Sequence, residues 1–316
     1  MKKVLFIDEV HESLWNGLTE LGFECIDGTS LRLDEAKVAA ENAYGIVIRS
    51  RFTMNEDFLS TANELAFIAR SGAGMENIDV QYCQINNIEL FNAPEGNRQA
   101  VAEHALGMLL ALFNKLIQGN AQVRNGVWDR EGNRGVELSG KTVGIIGYGN
   151  NGSSFARVLS GLGCEVLAYD KYKKGFGNEY VNESSLDRIK EEADILSFHV
   201  PQTEETLYYF NSSFLEEFKK PIYLINLSRG KIVEIKALNE GIKNKTVLGA
   251  CLDVLEYEKK SFANFLGNEN QIPGDLKTLM TFDNVIFSPH VGGWTVESYK
   301  KLSDTLLTKI KHWLEN

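Results

Sequence analysis

The chain lacks the features that mark metal centres, secreted proteins and membrane proteins. Its four cysteines, Cys25, Cys83, Cys164 and Cys251, are scattered along 316 residues without metal-ligand spacing. We therefore predict no metal site, and small buried thiols in a reducing compartment. No apolar stretch is long enough to span a membrane, and the apolar run at the N-terminus is too short for a signal peptide. These absences predict a cytoplasmic protein without a membrane partner.

The sequence also lacks an excess of positive charge. Its 33 Lys and Arg stand against 43 Asp and Glu, which gives a formal net charge of −10. Such a balance argues against nucleic acid and anionic membranes as partners, although a local basic pocket for an anionic substrate stays compatible with it. A chain of 316 residues with 43% hydrophobic residues predicts about two globular domains.

Strand-like and helix-like segments alternate, and this order predicts an α/β fold of doubly wound parallel sheets with helices on both faces. Asn55 and Asp79 stand where helix N-caps are expected. In the first part of the chain, we predict strands at 4–7, 23–26, 45–48, 65–69 and 88–91, and helices at 11–21, 34–41, 55–63 and 79–85.

After residue 97, a long apolar helix is predicted at 98–118, followed by a polar loop at 131–140. Residues 256–279 are predicted to form a polar, irregular surface excursion, and a final amphipathic helix is predicted at 295–313. The other predicted strands are 143–146, 165–169, 194–198, 222–226, 247–252 and 284–287, and the other predicted helices are 153–162, 184–191, 211–217 and 235–242.

A glycine-spaced turn follows the apolar run 143–146. The turn is Gly147-Tyr148-Gly149-Asn150-Asn151-Gly152, and a helix, a second strand and Asp170 come after it. The order strand, Gly-x-Gly-x-x-Gly, helix, strand, acid predicts a dinucleotide site. The first glycine allows the tight turn, the second lets a pyrophosphate approach the backbone, and the third lets the helix pack on the strand. An ordinary βα turn is the alternative explanation.

Asp170 stands where a carboxylate would take the two ribose hydroxyls of the adenosine half. A carboxylate repels a 2′-phosphate, so this residue favours NAD over NADP. Lys171, Lys173 and Lys174 follow directly, and they leave NADP open as an alternative unless they belong to a solvated loop.

Three further polar motifs each follow a predicted strand, and they contain Arg229, Glu258 and His290. The carboxyl ends of parallel strands line the ligand crevice of a doubly wound sheet, so these side chains are expected to converge beside a nicotinamide. Glu256 lies two residues from Glu258 and is an alternative to it. The other four histidines lack such a setting and are expected to be structural.

These motifs, their order and their spacing resemble the D-isomer-specific 2-hydroxyacid dehydrogenase family, and within it the phosphoglycerate dehydrogenases, over nearly the whole chain. The further stretches that carry the resemblance are Ile48-Arg49-Ser50-Arg51, Ser71-Gly72-Ala73-Gly74-Met75-Glu76-Asn77-Ile78-Asp79, Asn92-Ala93-Pro94-Glu95-Gly96-Asn97, Val101-Ala102-Glu103, Glu137-Leu138-Ser139-Gly140-Lys141-Thr142 and Val200-Pro201-Gln202-Thr203.

The resemblance implies catalytic roles for the three strand-end residues. Arg229 would bind the substrate carboxylate and keto oxygen, because a guanidinium fork grips two oxygens at once. His290 would be the acid/base, a task that suits imidazole, and Glu258 would hydrogen-bond it. Asp253 would hold the nicotinamide carboxamide. Backbone N–H groups at Ala73, Gly74 and Met75 would bind the substrate carboxylate.

The resemblance also implies an organisation and a reaction. Residues 1–97 and 292–316 would form a flavodoxin-like substrate domain, and residues 98–291 a Rossmann NAD-binding domain, in a homodimer whose interface includes the helix after Asn97. The implied reaction is NAD-dependent oxidation of a D-2-hydroxy acid, foremost 3-phosphoglycerate in serine biosynthesis. Arg49 and Arg51 would contact the phosphate, unless they pair with Glu56 or Asp57.

Alternatives remain at this point. One is a glyoxylate, hydroxypyruvate or other D-2-hydroxyacid reductase, and another is a non-enzymatic NAD-sensing scaffold of the corepressor kind. The sequence departs from the family pattern at Lys259, where proline is usual, at Glu234, where aspartate is usual, and at Asn150-Asn151, where Arg-Ile is typical. The chain ends soon after the last helix, so no C-terminal regulatory domain is expected.

Overall fold

A computed structural model of the chain describes residues 1–258 and 272–316. These residues fall into two compact units. The first unit comprises Met1–Arg98 and Trp294–Asn316, and the second comprises Gln99–Glu258 and residues 272–293. Lys259 and most of the predicted excursion lie outside the described residues.

The first unit is built on a five-stranded parallel sheet in the order β2-β1-β3-β4-β5. This is the flavodoxin-like strand order, and it confirms the predicted fold class. The strands are Lys3–Phe6 (β1), Glu24–Asp27 (β2), Gly45–Ile48 (β3), Phe67–Arg70 (β4) and Glu89–Asn92 (β5), and the helices between them are Glu12–Glu20 (α1), Leu33–Ala40 (α2), Glu56–Leu59 (α3) and Val80–Ile85 (α4).

Local sequence explains where two of these helices begin. The side chain of Asn55 accepts a hydrogen bond from the Phe58 N–H at 3.2 Å, and that of Asp79 accepts one from the Tyr82 N–H at 2.9 Å. Each therefore satisfies an N–H group that the first helical turn leaves without a partner. Both N-cap predictions are confirmed.

The last helix of the chain, Val296–Glu315 (α12), completes the first unit. Thr295 caps it in a reciprocal capping box with Ser298. Its buried residues Leu302, Leu306 and Ile310 recur at helical spacing and belong to the same core cluster as the strand residues. The helix therefore covers one face of the sheet, as its amphipathic pattern predicts.

The second unit holds a seven-stranded parallel sheet in the order β12-β11-β10-β9-β6-β7-β8. The order changes direction between β6 and β9, which is the switch point of a Rossmann sheet. The strands are Thr142–Ile146 (β6), Glu165–Tyr169 (β7), Asn182–Glu183 (β8), Ile195–Phe198 (β9), Ile222–Asn226 (β10), Val247–Leu252 (β11) and Val285–Phe287 (β12), and the helices are Pro94–Phe113 (α5), Leu116–Arg124 (α6), Asn150–Leu159 (α7), Leu186–Glu192 (α8), Ser212–Glu216 (α9), Ile235–Lys243 (α10) and Gly274–Leu279 (α11).

The single helix predicted at 98–118 is wrong. Helix α5 ends at Phe113, and α6 leaves it at an angle of 59°. Lys115 adopts a left-handed backbone with φ of 50°, and its Nζ donates to the Gly132 carbonyl at 2.7 Å. No single helix among the described residues is long and apolar enough to cross a membrane, and by length and composition only this bent pair passes together.

Two elements were missed. The two-residue strand β8 is too short to leave a periodic signal. Helix α11 lies in the stretch predicted to be irregular, yet Leu276 and Leu279 are fully buried in the core of the second unit. Its single turn and a half carries too few apolar residues to stand out from a polar neighbourhood.

Candidate active site

The glycine turn begins at the carboxyl end of β6. Gly147 has φ of +94°, and a Cβ there would lie 2.6 Å from the His199 carbonyl oxygen. A Cβ on Gly152 would lie 2.1 Å from the Gly147 carbonyl oxygen. Close packing therefore requires glycine at the first and third positions of the turn.

The middle glycine has a different environment. Gly149 is the N-cap of α7, and a Cβ built on it would meet no atom within 4 Å. Asn150 and Asn151 are the first two helical residues. A glycine that opens onto unfilled space at a helix N-terminus leaves room for an anion beside free backbone N–H groups. These residues therefore fit the pyrophosphate of a dinucleotide.

Asp170 follows β7 and lies beside the same turn. Its carboxylate accepts hydrogen bonds from the backbone N–H groups of Tyr148 at 2.8 Å, Tyr172 at 2.9 Å and Lys173 at 2.9 Å. Burial raises the pKa of Asp170, but these N–H groups outweigh it and hold the pKa below its usual value. The carboxylate is therefore ionised at neutral pH and fixed against the turn.

The three lysines after Asp170 are each engaged within the second unit. Lys171 pairs with Glu205 at 2.8 Å. Lys173 donates to the Tyr148 carbonyl at 3.2 Å, and Lys174 donates to the Asp170 carbonyl at 3.3 Å. The ion pair and the backbone contacts favour the solvated-loop explanation of these lysines over a 2′-phosphate site.

The three strand-end motifs follow β10, β11 and β12, which are neighbours in the sheet. His290 Nδ1 lies 3.1 Å from Glu258 Oε2, and both side chains are partly exposed, at 25% and 22%. The Glu256 carboxylate is used elsewhere, because it accepts from the Ile235 N–H at 3.0 Å. The sequence prediction that Glu258, rather than Glu256, partners His290 therefore agrees with the geometry.

Arg229 lies between β10 and a short 3-10 helix. Its Nη1 donates to the Ser228 carbonyl at 2.6 Å, and its own carbonyl accepts from Asn226 Nδ2 at 2.9 Å. The following glycine fixes its place, since a Cβ on Gly230 would lie 1.9 Å from the Leu255 carbonyl oxygen. The turn that carries Arg229 is thus packed directly against the turn after β11.

Asp253 directly follows β11 and is buried. Its carboxylate is 3% exposed and accepts from the Ser288 hydroxyl at 2.5 Å, the Val291 N–H at 2.9 Å and the Gly292 N–H at 2.8 Å. These donors account for most of the accepting capacity of a carboxylate. The carboxamide role predicted for Asp253 stays a prediction, and these contacts add that its carboxylate holds the turn on both sides of His290.

That turn has an unusual backbone. His290 is a non-glycine residue with φ of 55°, and its N–H donates to the Asp253 carbonyl at 2.8 Å. A left-handed backbone costs about 1–2 kcal/mol for an L-residue. Such a conformation persists where its surroundings determine it, and here Asp253 supplies that support.

The sequence did not indicate the surroundings of His104, which was expected to be structural. On helix α5, His104 Nε2 lies 2.9 Å from the Ser288 Oγ and 3.7 Å from an Asp253 oxygen. No spacing in the sequence connects a residue of α5 to a turn 184 residues later. His199 is structural as expected: its Nε2 lies 2.8 Å from the Ser197 hydroxyl, and burial lowers its pKa to about 4.

In the first unit, the turn after β4 has the character of an anion site. The backbone N–H groups of Ala73, Gly74 and Met75 make no hydrogen bond to any described residue. The Ala73 carbonyl accepts from Asn92 Nδ2 at 2.7 Å, which holds the turn in place. Consecutive free N–H groups of this kind form a cradle for a carboxylate or phosphate.

The two arginines after β3 have different environments. The Arg51 guanidinium donates to the carbonyl oxygens of Ile7, Gly28, Thr29 and Leu31. It joins three segments of the first unit, and the phosphate contact predicted for this residue stays a prediction that these carbonyl contacts weigh against. Neither arginine pairs with Asp57, which pairs with Lys37 at 2.6 Å. Arg49 instead lies over the Trp294 ring.

Comparison with known proteins identifies the family of the chain. Residues 106–292 match the family model described as the D-isomer specific 2-hydroxyacid dehydrogenase, NAD binding domain. The chain is 33% identical over 319 residues to D-3-phosphoglycerate dehydrogenase of Haemophilus influenzae, covering 100% of this chain and 75% of that protein. It spans 46% to 57% of three longer phosphoglycerate dehydrogenases that it also matches.

Other relatives are named for different activities. The chain is 33% identical over 267 residues to hydroxypyruvate reductase of Thermotoga maritima, covering 84% of this chain and 83% of that protein. Among solved structures, D-lactate dehydrogenase from Aquifex aeolicus, complexed with NAD and lactic acid, superposes with a TM-score of 0.81 at 26% identity, covering 99% of this chain and 96% of that one. The chain belongs to the D-isomer specific 2-hydroxyacid dehydrogenase family of NAD-dependent oxidoreductases.

Proposed function

We propose that the protein interconverts 3-phosphoglycerate and 3-phosphohydroxypyruvate, the oxidation that begins serine biosynthesis. The reaction is inferred mainly from the His290–Glu258 pair, whose side chains lie 3.1 Å apart. Arg229 follows a neighbouring strand of the same NAD-binding sheet. The observation that supports a phosphorylated substrate is the Arg49 cation at the ligand edge of the other sheet. Relatives named for this activity add support.

The chemistry is divided among few groups. NAD supplies the acceptor for the hydride that leaves C2 of the hydroxy acid. His290 accepts the hydroxyl proton at Nε2, because its Nδ1 faces Glu258. Arg229 orients the carboxylate and the C2 oxygen through its planar fork. In the first unit, the free N–H groups of residues 73–75 would bind a carboxylate.

Cofactor binding is assigned to the residues of the glycine turn and the acid after β7. Gly147 and Gly152 shape the turn, and Gly149, Asn150 and Asn151 would hold the pyrophosphate at the N-terminus of α7. Asp170 would take the ribose hydroxyls through the accepting capacity that its three backbone N–H partners leave unused. Among the residues that the structure describes, no cluster of His, Cys, Asp or Glu could hold a metal ion.

The proposal extends to organisation and location. Residues 1–97 and 292–316 serve as the substrate domain and 98–291 as the NAD-binding domain. We propose that the protein is cytoplasmic and that it forms a homodimer. The dimer is supported by apolar side chains that are exposed on and just after α6, at Leu116, Ile117, Val123, Val127 and Trp128. Sedimentation of the purified protein would test the dimer.

The decisive assay follows NADH oxidation by the purified protein with 3-phosphohydroxypyruvate, hydroxypyruvate, glyoxylate and pyruvate. We expect the highest kcat/KM with the phosphorylated acid. A second candidate, a hydroxypyruvate or glyoxylate reductase, is favoured by the engagement of Arg51 with backbone carbonyls, which leaves one arginine at this edge for a phosphate. Absence of turnover on every acid, with retained NADH binding, would instead support a nucleotide-sensing scaffold.

A further inference from the structure

The region around Arg49 is the ligand-binding edge of the first unit. The strand order of its sheet changes direction between β1 and β3, where doubly wound sheets open a crevice at the carboxyl ends. Asp8 follows β1, and its Oδ2 accepts from the backbone N–H groups of Arg49 at 2.6 Å, Ser50 at 3.1 Å and Arg51 at 3.2 Å. The backbone that carries Arg49 is therefore fixed.

The guanidinium of Arg49 combines partial burial with N–H donors that are open to a ligand. Its burial lowers its pKa, and Asp8, Tyr299 and Glu9 act in the opposite direction. Its side chain makes no hydrogen bond or ion pair with the part of the chain that the structure describes. All its N–H donors therefore remain available to an anion, while water around it is partly excluded.

Trp294 covers the face of this cation. The Arg49 Cζ lies 3.9 Å from the centre of the Trp294 ring. The indole is itself braced, since the Tyr299 ring meets it edge-on at 5.3 Å and the His11 ring meets Tyr299 at 5.8 Å. A guanidinium stacked by its face keeps its planar edge free for bidentate recognition of a phosphate or carboxylate.

We propose that Trp294 is a specificity-determining residue, which with Arg49 forms the subsite for the anionic group at the far end of the substrate. This inference rests on the proposed function. The stacked indole keeps the guanidinium from turning toward the carboxylates of Asp8 and Glu9, and it lowers the hydration that an incoming phosphate must displace. Trp294 thereby strengthens binding of a phosphorylated acid without touching the reacting carbon.

The test uses Trp294→Ala, Trp294→Phe, Arg49→Ala and the double variant, each assayed with 3-phosphohydroxypyruvate and hydroxypyruvate. Loss of the cation–π contact should lower kcat/KM for the phosphorylated acid roughly 3- to 30-fold in Trp294→Ala, through KM. The value for hydroxypyruvate should change less than about twofold. Trp294→Phe should restore most of the loss. In the Arg49→Ala background, removing the indole should add less than about twofold.

Val296→Ala is the matched control, because Val296 is 86% exposed and lies two residues after Trp294, at the start of α12. It should leave kcat/KM for both substrates unchanged. Calorimetric titration of each protein with 3-phosphoglycerate gives a readout that needs no turnover. Equal affinity in Trp294→Ala and the parent, or additive effects in the double variant, would overturn the subsite. A parent that prefers hydroxypyruvate yet binds 3-phosphoglycerate through Trp294 would refute the proposed substrate and keep the subsite.

Discussion

Replacing Asp253 by asparagine should separate two possible roles of this residue. If Asp253 holds the His290 turn, Asp253→Asn should lower kcat and leave NADH binding nearly unchanged. If it instead holds the nicotinamide carboxamide, NADH affinity should fall first. The structure favours the first outcome, because three donors of the turn converge on the carboxylate at 2.5 to 2.9 Å.

The size of the effect follows from these contacts. An asparagine keeps one accepting oxygen, but its amide nitrogen is a donor. It would face a backbone N–H group that can only donate, or the Ser288 hydroxyl, so at least one of the present bonds to the carboxylate is lost. A hydrogen bond to a charged group contributes about 1.5–3 kcal/mol. The left-handed backbone of His290 costs about 1–2 kcal/mol, so the turn tends to leave this conformation when a bond that holds it is lost. Loss of one such bond therefore lowers the population of the competent turn by up to roughly 10- to 150-fold.

Steady-state kinetics, fluorescence titration with NADH and thermal unfolding measure the three quantities. We expect kcat to fall within that range, the Kd for NADH to change less than about threefold, and Tm to fall. Ser288→Ala, which removes one neutral donor, should give a smaller loss of kcat. Asp283→Asn, an exposed carboxylate before β12, is the control. An unchanged kcat with weakened NADH binding would refute the positioning role.

The remaining predictions concern the three residues with assigned chemistry. His290→Ala should lower turnover roughly 10²- to 10⁴-fold with NADH affinity unchanged, and near-normal turnover across pH would exclude it as the acid/base. Arg229→Lys keeps the charge but loses the fork, so kcat/KM should fall markedly; parity with the parent would contradict bidentate binding. Asp170→Ala should reduce the preference for NAD over NADP, and a parent enzyme that prefers NADP would refute its assigned role.

The parts of the site that sequence alone predicted are those whose geometry is local. Gly147 and Gly152 are required by atoms of the turn itself or of the neighbouring strand, and Gly149 leaves open space at a helix N-terminus, so the spacing of the three carries the information. Asn55 and Asp79 cap helices through residues three positions away. The strand-end placement of Arg229, Glu258 and His290 follows from the alternation of strands and helices.

The parts that sequence missed depend on contacts between distant segments. Asp253 meets its donors 35 to 39 residues away, and His104 meets Ser288 from a different helix. The break between α5 and α6 depends on a left-handed Lys115 whose side chain reaches Gly132. None of these contacts leaves a periodic or spaced signal, and so pattern analysis could not separate Asp253 from an ordinary ligand-binding acid.

The motif Arg49-Ser50-Arg51 shows how much a sequence motif can predict about the substrate. Two arginines in one motif suggest two phosphate contacts, but the structure engages Arg51 with backbone carbonyls and leaves the donors of Arg49 open. A D-3-phosphoglycerate dehydrogenase and a hydroxypyruvate reductase are both 33% identical to this chain, so similarity does not separate a phosphorylated substrate from an unphosphorylated one. Because one charge-assisted contact contributes only about 1.5–3 kcal/mol, we propose that any preference for phosphate depends on how strongly Trp294 holds that single cation.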